Sequence, residues 1–353
     1  MYFLTSKLIY FIKEFAPFLI IDTLLLILSV IIFFKIFRSQ ISKRRKIITT
    51  AALATILFFF SNFTLAEAYF RFIYDNSDGL GFLKVNQKWQ ERHIVVNGDF
   101  RRDEEFQIQK SPSIERVCAI GDSITFGYGI EDINDRYTEI LEKKLRNDNY
   151  RVEIFNLAVS GVNLLDAIST YRGYKFLNCD IILYQYALND IRNNEDQAKL
   201  FEHYSKLLPP IKKASELSYF FDFVYWRFNQ RYEDSFRKLY AIDINDFENP
   251  EKLNQHLSKI AQFAGEVKND QKKMMVVIFP MFYSLDNNYP GWIHSLIATN
   301  FAKSGATVVD LLPFAVGRNL EDLRASRFDA HPSEYFHNLT AEKIYEPFKE
   351  LLK

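Results

Sequence analysis

The sequence predicts an α/β fold: a three-layer α/β/α sandwich around a mainly parallel five-stranded sheet, preceded by two transmembrane helices. Three observations carry this. From residue 116 onward, short β-branched runs alternate with amphipathic stretches, the pattern of strands joined by crossover helices. Two of those runs, Met274–Phe279 throughout and Thr307–Leu311 apart from Thr307 and Asp310, are apolar, as in a parallel sheet covered on both faces. Before residue 70 lie two apolar stretches, each near the roughly 17–25 residues that cross a bilayer.

Strands are expected at 116–120, 151–157, 181–187, 274–280 and 307–311, with helices near 135–147, 162–176, 292–303 and 340–352. Phe18–Phe34 is apolar except for Asp22, and Ile47–Ala66 carries no charge. Between them six positive charges (Lys35, Arg38, Lys43, Arg44, Arg45, Lys46) crowd a short loop. The positive-inside rule puts that loop in the cytoplasm and everything after residue 70 outside it. The chain divides accordingly into a membrane anchor (1–70), a spacer of loops with one or two short strands (71–115), and a catalytic body (116–353). The body carries a helical insertion at about 191–271. Within that insertion Ser218–Phe228 holds seven aromatic residues, read first as a helix packed on the body, with a lid or a platform touching the membrane as the alternative.

Composition narrows the function. The 353 residues balance 44 basic against 44 acidic side chains. The first 70 carry eight against three, which leaves 36 against 41 for the remainder, a mildly acidic body unsuited to a polyanion such as nucleic acid. Two cysteines, Cys118 and Cys179, exclude a disulfide framework and a Cys-rich metal site. Both fall in or beside core strands and read as buried thiols, a single disulfide being the alternative.

The chemistry gathers where predicted strands end. Arg116–Ile120 reads as a buried strand broken by Gly121, with Asp122 and Ser123 at the start of a helix. A serine on that turn has a free backbone N–H and a helix N-terminus beneath it, which suits a nucleophile whose attack creates an oxyanion. Asn156-Leu-Ala-Val-Ser160-Gly161 follows the second strand, and a glycine there lets its N–H approach a substrate closely. Tyr186-Ala187-Leu188-Asn189-Asp190 ends the third, and the Asn189 amide is a suitable oxyanion donor. Asp329-Ala330-His331-Pro332 precedes the last helix; histidine is the usual base for a serine because it titrates near neutral pH. His337 is its rival, while His93, His203, His256 and His294 lack ligand spacing and read as surface or structural.

Gly-Asp-Ser-Ile-Thr at 121–125, the glycine at 161, the Asn-Asp at 189–190 and the Asp-x-His-Pro at 329–332 together resemble the four ordered blocks of the GDSL/SGNH hydrolases. Those are serine esterases and acyltransferases with a flavodoxin-like sandwich. The resemblance covers roughly residues 115–353. It implies that Ser123, His331 and Asp329 are catalytic and that the N–H groups of Ser123 and Gly161 with the Asn189 amide form the oxyanion hole. It implies no metal or organic cofactor. Two departures stand out: the family has glycine at the position of Ala187, and its Asp precedes the His by three residues rather than two. If position 187 needs positive φ, alanine there is strained by about 1 kcal/mol or more.

The expectation is therefore a membrane-anchored esterase acting on short O-acyl esters, acetyl among them, outside the cytoplasm. Its partners would be an acyl-ester or O-acylated glycan substrate and the lipid bilayer, with a membrane acyltransferase or envelope assembly complex as a further candidate. The alternatives are an O-acyltransferase modifying envelope or extracellular glycans, and an inactive glycan-binding module on the same fold.

Overall fold

The computed structural model describes residues 2–192, 194–282, 285 and 289–353. In chain order the helices are α1 (Tyr2–Arg38), α2 (Lys43–Ala68), α3 (Lys84–His93), α4 (Ser123–Phe126), α5 (Tyr137–Asn147) and α6 (Leu164–Gly173). An all-helical stretch follows: α7 (Asn194–Ser205), α8 (Pro209–Leu217), α9 (Tyr219–Phe228), α10 (Gln230–Glu248) and α11 (Pro250–Asn269). The last are α12 (Gly291–Lys303), α13 (Leu312–Ala315), α14 (Leu320–Leu323) and α15 (Glu334–Leu351). The strands are β1 (Glu115–Ile120), β2 (Val152–Asn156), β3 (Ile181–Tyr186), β4 (Lys273–Ile278), β5 (Thr307–Asp310) and the short pair β6 (Arg324–Ser326) and β7 (Asp329–Pro332).

The chain separates into two compact units. One comprises residues 76–207 and 229–353. Its sheet has the order β2-β1-β3-β4-β5 with every neighbouring pair parallel. The five strands fall where the hydrophobic runs predict them. β3 is buried at all six positions and β4 at five of six, because helices cover both faces. α5 and α15 pack together over one face; α6, α11 and α12 form the other layer. Right-handed crossovers require this division, since the chain steps from β1 to β2 in one direction and then returns past β1 to β3. That reversal between β1 and β3 is where a doubly wound sheet opens a crevice at its carboxyl edge.

Three features of this unit differ from the sequence reading. β6 and β7 form an antiparallel hairpin outside the five expected strands. Residues 76–114 contain no strand. Instead α3 buries Val85, Asn86 and Trp89 within the unit, and Asp78 accepts backbone N–H groups from Leu80, Phe82 and Leu83 to hold the turn before it. The two cysteines are joined: Cys118 on β1 and Cys179 just before β3 form a disulfide, with Cα atoms 5.8 Å apart. Burial, read above as favouring free thiols, does not separate the two states. Adjacency of β1 and β3, which brings Cys118 beside Ile182, is what decides it.

The other unit comprises residues 1–75 with 208–228. α1 and α2 pair as a hairpin, and both are long and apolar enough to cross a membrane. Among the described side chains their exposed surface is largely hydrophobic, Leu24, Phe34, Ile47, Phe58 and Phe59 included. α8 and α9, from the insertion, belong to this unit. The aromatic helix thus packs on the end of α2, where Phe70 meets Phe220 and Phe223, and the reading that its aromatic face lies on the body is corrected.

Candidate active site

β1 ends at Ile120, and Gly121 follows in a space too tight for any other residue. A Cβ there would lie 2.4 Å from Gln185 Oε1 and 2.6 Å from Thr125 Oγ1. The same Gln185 oxygen accepts the Asp122 N–H at 2.9 Å, fixing the turn to β3. Asp122 Oδ1 caps α4 by accepting the Ile124 N–H, and Gly127 closes this one-turn helix in the left-handed region, φ 78°. Ser123 is therefore presented at the first helical position. Among the described residues no acceptor occupies its N–H.

Opposite the serine stands the β6–β7 hairpin. In an extended strand residues two apart point to the same face. Asp329 and His331 occupy such positions on β7, so the two-residue spacing aligns them without a longer loop. Asp329 Oδ1 lies 2.5 Å from His331 Nδ1 and also accepts the His331 backbone N–H at 3.0 Å. His331 Nε2 lies 2.7 Å from Ser123 Oγ. Asp329 is fully buried, and two glycines crowd its carboxylate: a Cβ on Gly79 would approach Oδ1 to 3.3 Å and one on Gly129 would approach Oδ2 to 3.1 Å.

Burial opposes charge on both partners, but their mutual attraction outweighs it. His331 is held above the ordinary histidine value of 6.5, by Asp329 first and by Asp122 and Asp78 at longer range. Asp329 is held below the usual carboxylate value by His331 and the hydrogen bonds it accepts.

The three expected oxyanion donors sit at the ends of three adjacent strands. Asn189 Nδ2 donates one N–H to Asp122 Oδ2 at 2.8 Å, which leaves the second N–H of the amide to be used. Gly161 has φ 82°, a left-handed conformation that favours glycine, with nothing within 4 Å of where a Cβ would stand. The loop carrying it is tied back to β1 by the Val159 N–H on Gly121 O. Ala187 has φ −138°, an extended conformation open to any residue, and its N–H donates to Asp190 Oδ2 at 2.9 Å. The strain expected of alanine there does not arise.

His337, the rival base, lies buried in α15. Its Nδ1 accepts the Tyr137 N–H at 3.2 Å and burial pushes its pKa down to about 3, so it is a neutral core residue. His256 and His294 are likewise buried, paired with Tyr186 and with Asp310 and Tyr289.

Sequence reasoning missed one supporting wall. Tyr128 packs its ring 5.1 Å from that of His331, and its hydroxyl is held by Asn86 and Gln90 of α3, each at 2.9 Å. Both belong to the stretch taken as a spacer. The only sequence signal for it was Trp89 within a strongly polar segment.

A doubly wound parallel sheet with a serine, a histidine and a carboxylate converging at its β1/β3 crevice defines a serine hydrolase of the SGNH kind. The family model for GDSL-like lipases and acylhydrolases matches residues 119–339. The chain belongs to that family and is a serine hydrolase acting on ester bonds. No curated protein matches it. Among solved structures it is similar to a psychrotrophic esterase from Pseudoalteromonas sp., at 14% identity and TM-score 0.40, over 67% of this chain and 98% of that one. A lipase/acylhydrolase from Enterococcus faecalis aligns at 13% identity and TM-score 0.41, over 68% and 98%. An acetyl xylan esterase aligns at 12% identity and TM-score 0.42, over 66% and 98%.

Proposed function

We propose that this chain is a membrane-anchored esterase that removes short acyl groups, of acetyl size, from O-acylated substrates outside the cytoplasm. The observation that carries the reading is the continuous hydrogen-bonded line Ser123 Oγ, His331, Asp329, with distances of 2.7 and 2.5 Å. Ser123 attacks the ester carbonyl while His331 Nε2 takes its proton, and Asp329 keeps Nδ1 protonated and the ring in place. The N–H groups of Ser123 and Gly161 and the free N–H of Asn189 receive the negative charge that develops on the carbonyl oxygen. His331 then returns the proton to the leaving alcohol. Water, activated by the same histidine, releases the acid.

The short-acyl assignment rests on size. The cavity beside Ser123, walled in part by Ile124, Pro280, Met281, Phe282 and Pro332, opens to the surface and holds about 40 Å³. One water needs about 10–15 Å³ on this measure, so the space has room for a two-carbon acyl group. Location rests on the six-charge loop between two apolar helices. The Cys118–Cys179 disulfide supports it independently, since such bonds persist in oxidising compartments.

The test is turnover of a series of p-nitrophenyl esters by the full-length protein in detergent. Acetate should be the preferred chain length, with kcat/KM falling as the acyl chain lengthens. A preference for octanoate or longer would overturn the short-acyl reading, and no turnover of any ester would favour a binding module.

A further inference from the structure

The insertion between β3 and β4 has a part that the hydrolase chemistry leaves unused. α9 begins at Tyr219; Ser218 Oγ accepts the Phe221 N–H at 3.0 Å, and the two N–H groups before it are capped from α2. Glu67, near the end of α2 and fully buried, accepts the Tyr219 N–H at 3.1 Å, the Phe220 N–H at 3.0 Å and the Ser218 hydroxyl at 2.6 Å. Arg71, one turn later, donates to Glu67 at 2.8 Å, to Glu14 of α1 at 2.8 Å and to the Leu217 carbonyl, the last of α8, at 2.6 Å. Its guanidinium stacks over Phe18 and Tyr219. Ser215 donates to the buried Asp222 carboxylate. Polar and ionic groups are thus buried here, alongside Phe15 and Trp226.

Outside, Leu65, Tyr69 and Ile73, spaced four apart, continue the exposed apolar face of α2 past Glu67, and Leu208, Leu217 and Phe228 of the α8–α9 hairpin are exposed beside Lys212, Lys213 and Glu216, Phe228 at 79%. Exposed apolar side chains flanked by charged ones suit the membrane interface, where the apolar groups reach the acyl chains and the charges stay at the headgroups. Depth follows from helix geometry. Lys46 to Glu67 and Glu14 to Lys35 are each 21 residues, about 31 Å of helix at about 1.5 Å per residue, close to the roughly 30 Å hydrocarbon core. With the basic loop at one face, Glu14, Glu67 and Arg71 fall at the other, where aromatic side chains concentrate.

We propose that the α8–α9 hairpin is a third membrane element, lying in the plane of the outer interface with Leu208, Leu217 and Phe228 in the bilayer and Glu67 as its latch. It rests on the membrane reading of α1 and α2 and adds to it an occupant for the insertion's apolar face, namely lipid. By connectivity the catalytic unit is then joined to the membrane unit at three chain crossings, 75/76, 207/208 and 228/229, rather than one.

The test uses the full-length protein in liposomes, with Cys118 and Cys179 left paired and one new cysteine carrying an environment-sensitive fluorophore. The labelled variants are Leu217→Cys and Phe228→Cys on the hairpin, Phe58→Cys on α2, and Glu251→Cys as a water-exposed reference. Spin-labelled lipids carry the quencher either near the headgroup or near the chain end. The expected result is that positions 217 and 228 are quenched by the shallow label more than by the deep one, position 58 by the deep one more, and position 251 by neither. Glu67→Ala should abolish quenching at 217 and 228 while leaving it at 58. Hairpin positions as unquenched as 251, beside a quenched 58, would overturn the proposal alone. An unquenched 58 would overturn the membrane reading and the proposal with it.

Discussion

Asp329 is the residue whose role the sequence left most open, and its position on a strand explains why two-residue spacing suffices. Asp329→Asn should keep the fold but present the wrong hydrogen-bonding group to Nδ1, lowering kcat by on the order of 10⁴. The pH profile separates this from a general loss. Below its pKa His331 is protonated and accepts nothing from Ser123, so kcat/KM should rise with pH through a pKa above the ordinary 6.5. Asp329→Asn removes the main group that raises that pKa, so the acid limb should move to lower pH as the rate falls. An unmoved limb would mean that Asp329 does not govern the histidine. His337, neutral and enclosed, should behave differently: His337→Ala lowers the thermal midpoint and leaves the pH profile in place.

At the scale of elements, much of the catalytic unit was legible because its strands are short, apolar and buried on both faces, a signal local to each run. Three of the four blocks were legible for the same reason, since each lies beside a strand end that the pattern marks; the fourth lies on β7, in a separate hairpin that the pattern did not mark. What escaped reading depends on contacts distant in sequence. The polar run Lys84–His93 carries too little apolar periodicity to declare a helix, and only Tyr128, Asn86 and Gln90 together reveal its purpose. The Cys118–Cys179 bond needs the order β2-β1-β3, which no single segment contains. Its closed loop spans 61 residues, so on the loop-entropy account Cys118→Ser/Cys179→Ser should lower stability by roughly 4 kcal/mol. Denaturant unfolding of the oxidised protein against that variant measures it; equal midpoints would contradict the disulfide's structural role. The hairpin that carries the histidine makes a sharper demand. Gly129 has φ 89°, and a Cβ there would stand 2.7 Å from the Ala325 Cβ. Gly129→Ala should therefore push the β6–β7 hairpin off its position and reduce kcat by more than tenfold, an effect of about 1.4 kcal/mol or greater on the barrier.

At the scale of the whole molecule, the proposed function joins a serine esterase to a two-helix membrane anchor and would put the esterase outside the cytoplasm. A reporter fused after Lys353 should then be active only in an extracytoplasmic compartment, and a cysteine replacing Ser42 should resist impermeant thiol reagents until the membrane is opened. The disulfide and the basic loop are separate observations, and each would have to be explained anew if the catalytic unit faced inward. One measurement tests the nucleophile and the topology together. Right-side-out vesicles containing the full-length protein are treated with a charged, membrane-impermeant fluorophosphonate. The account predicts that the protein is labelled before the membrane is permeabilised and that Ser123→Ala abolishes the label. Labelling that appears only after permeabilisation, or that survives Ser123→Ala, would contradict it.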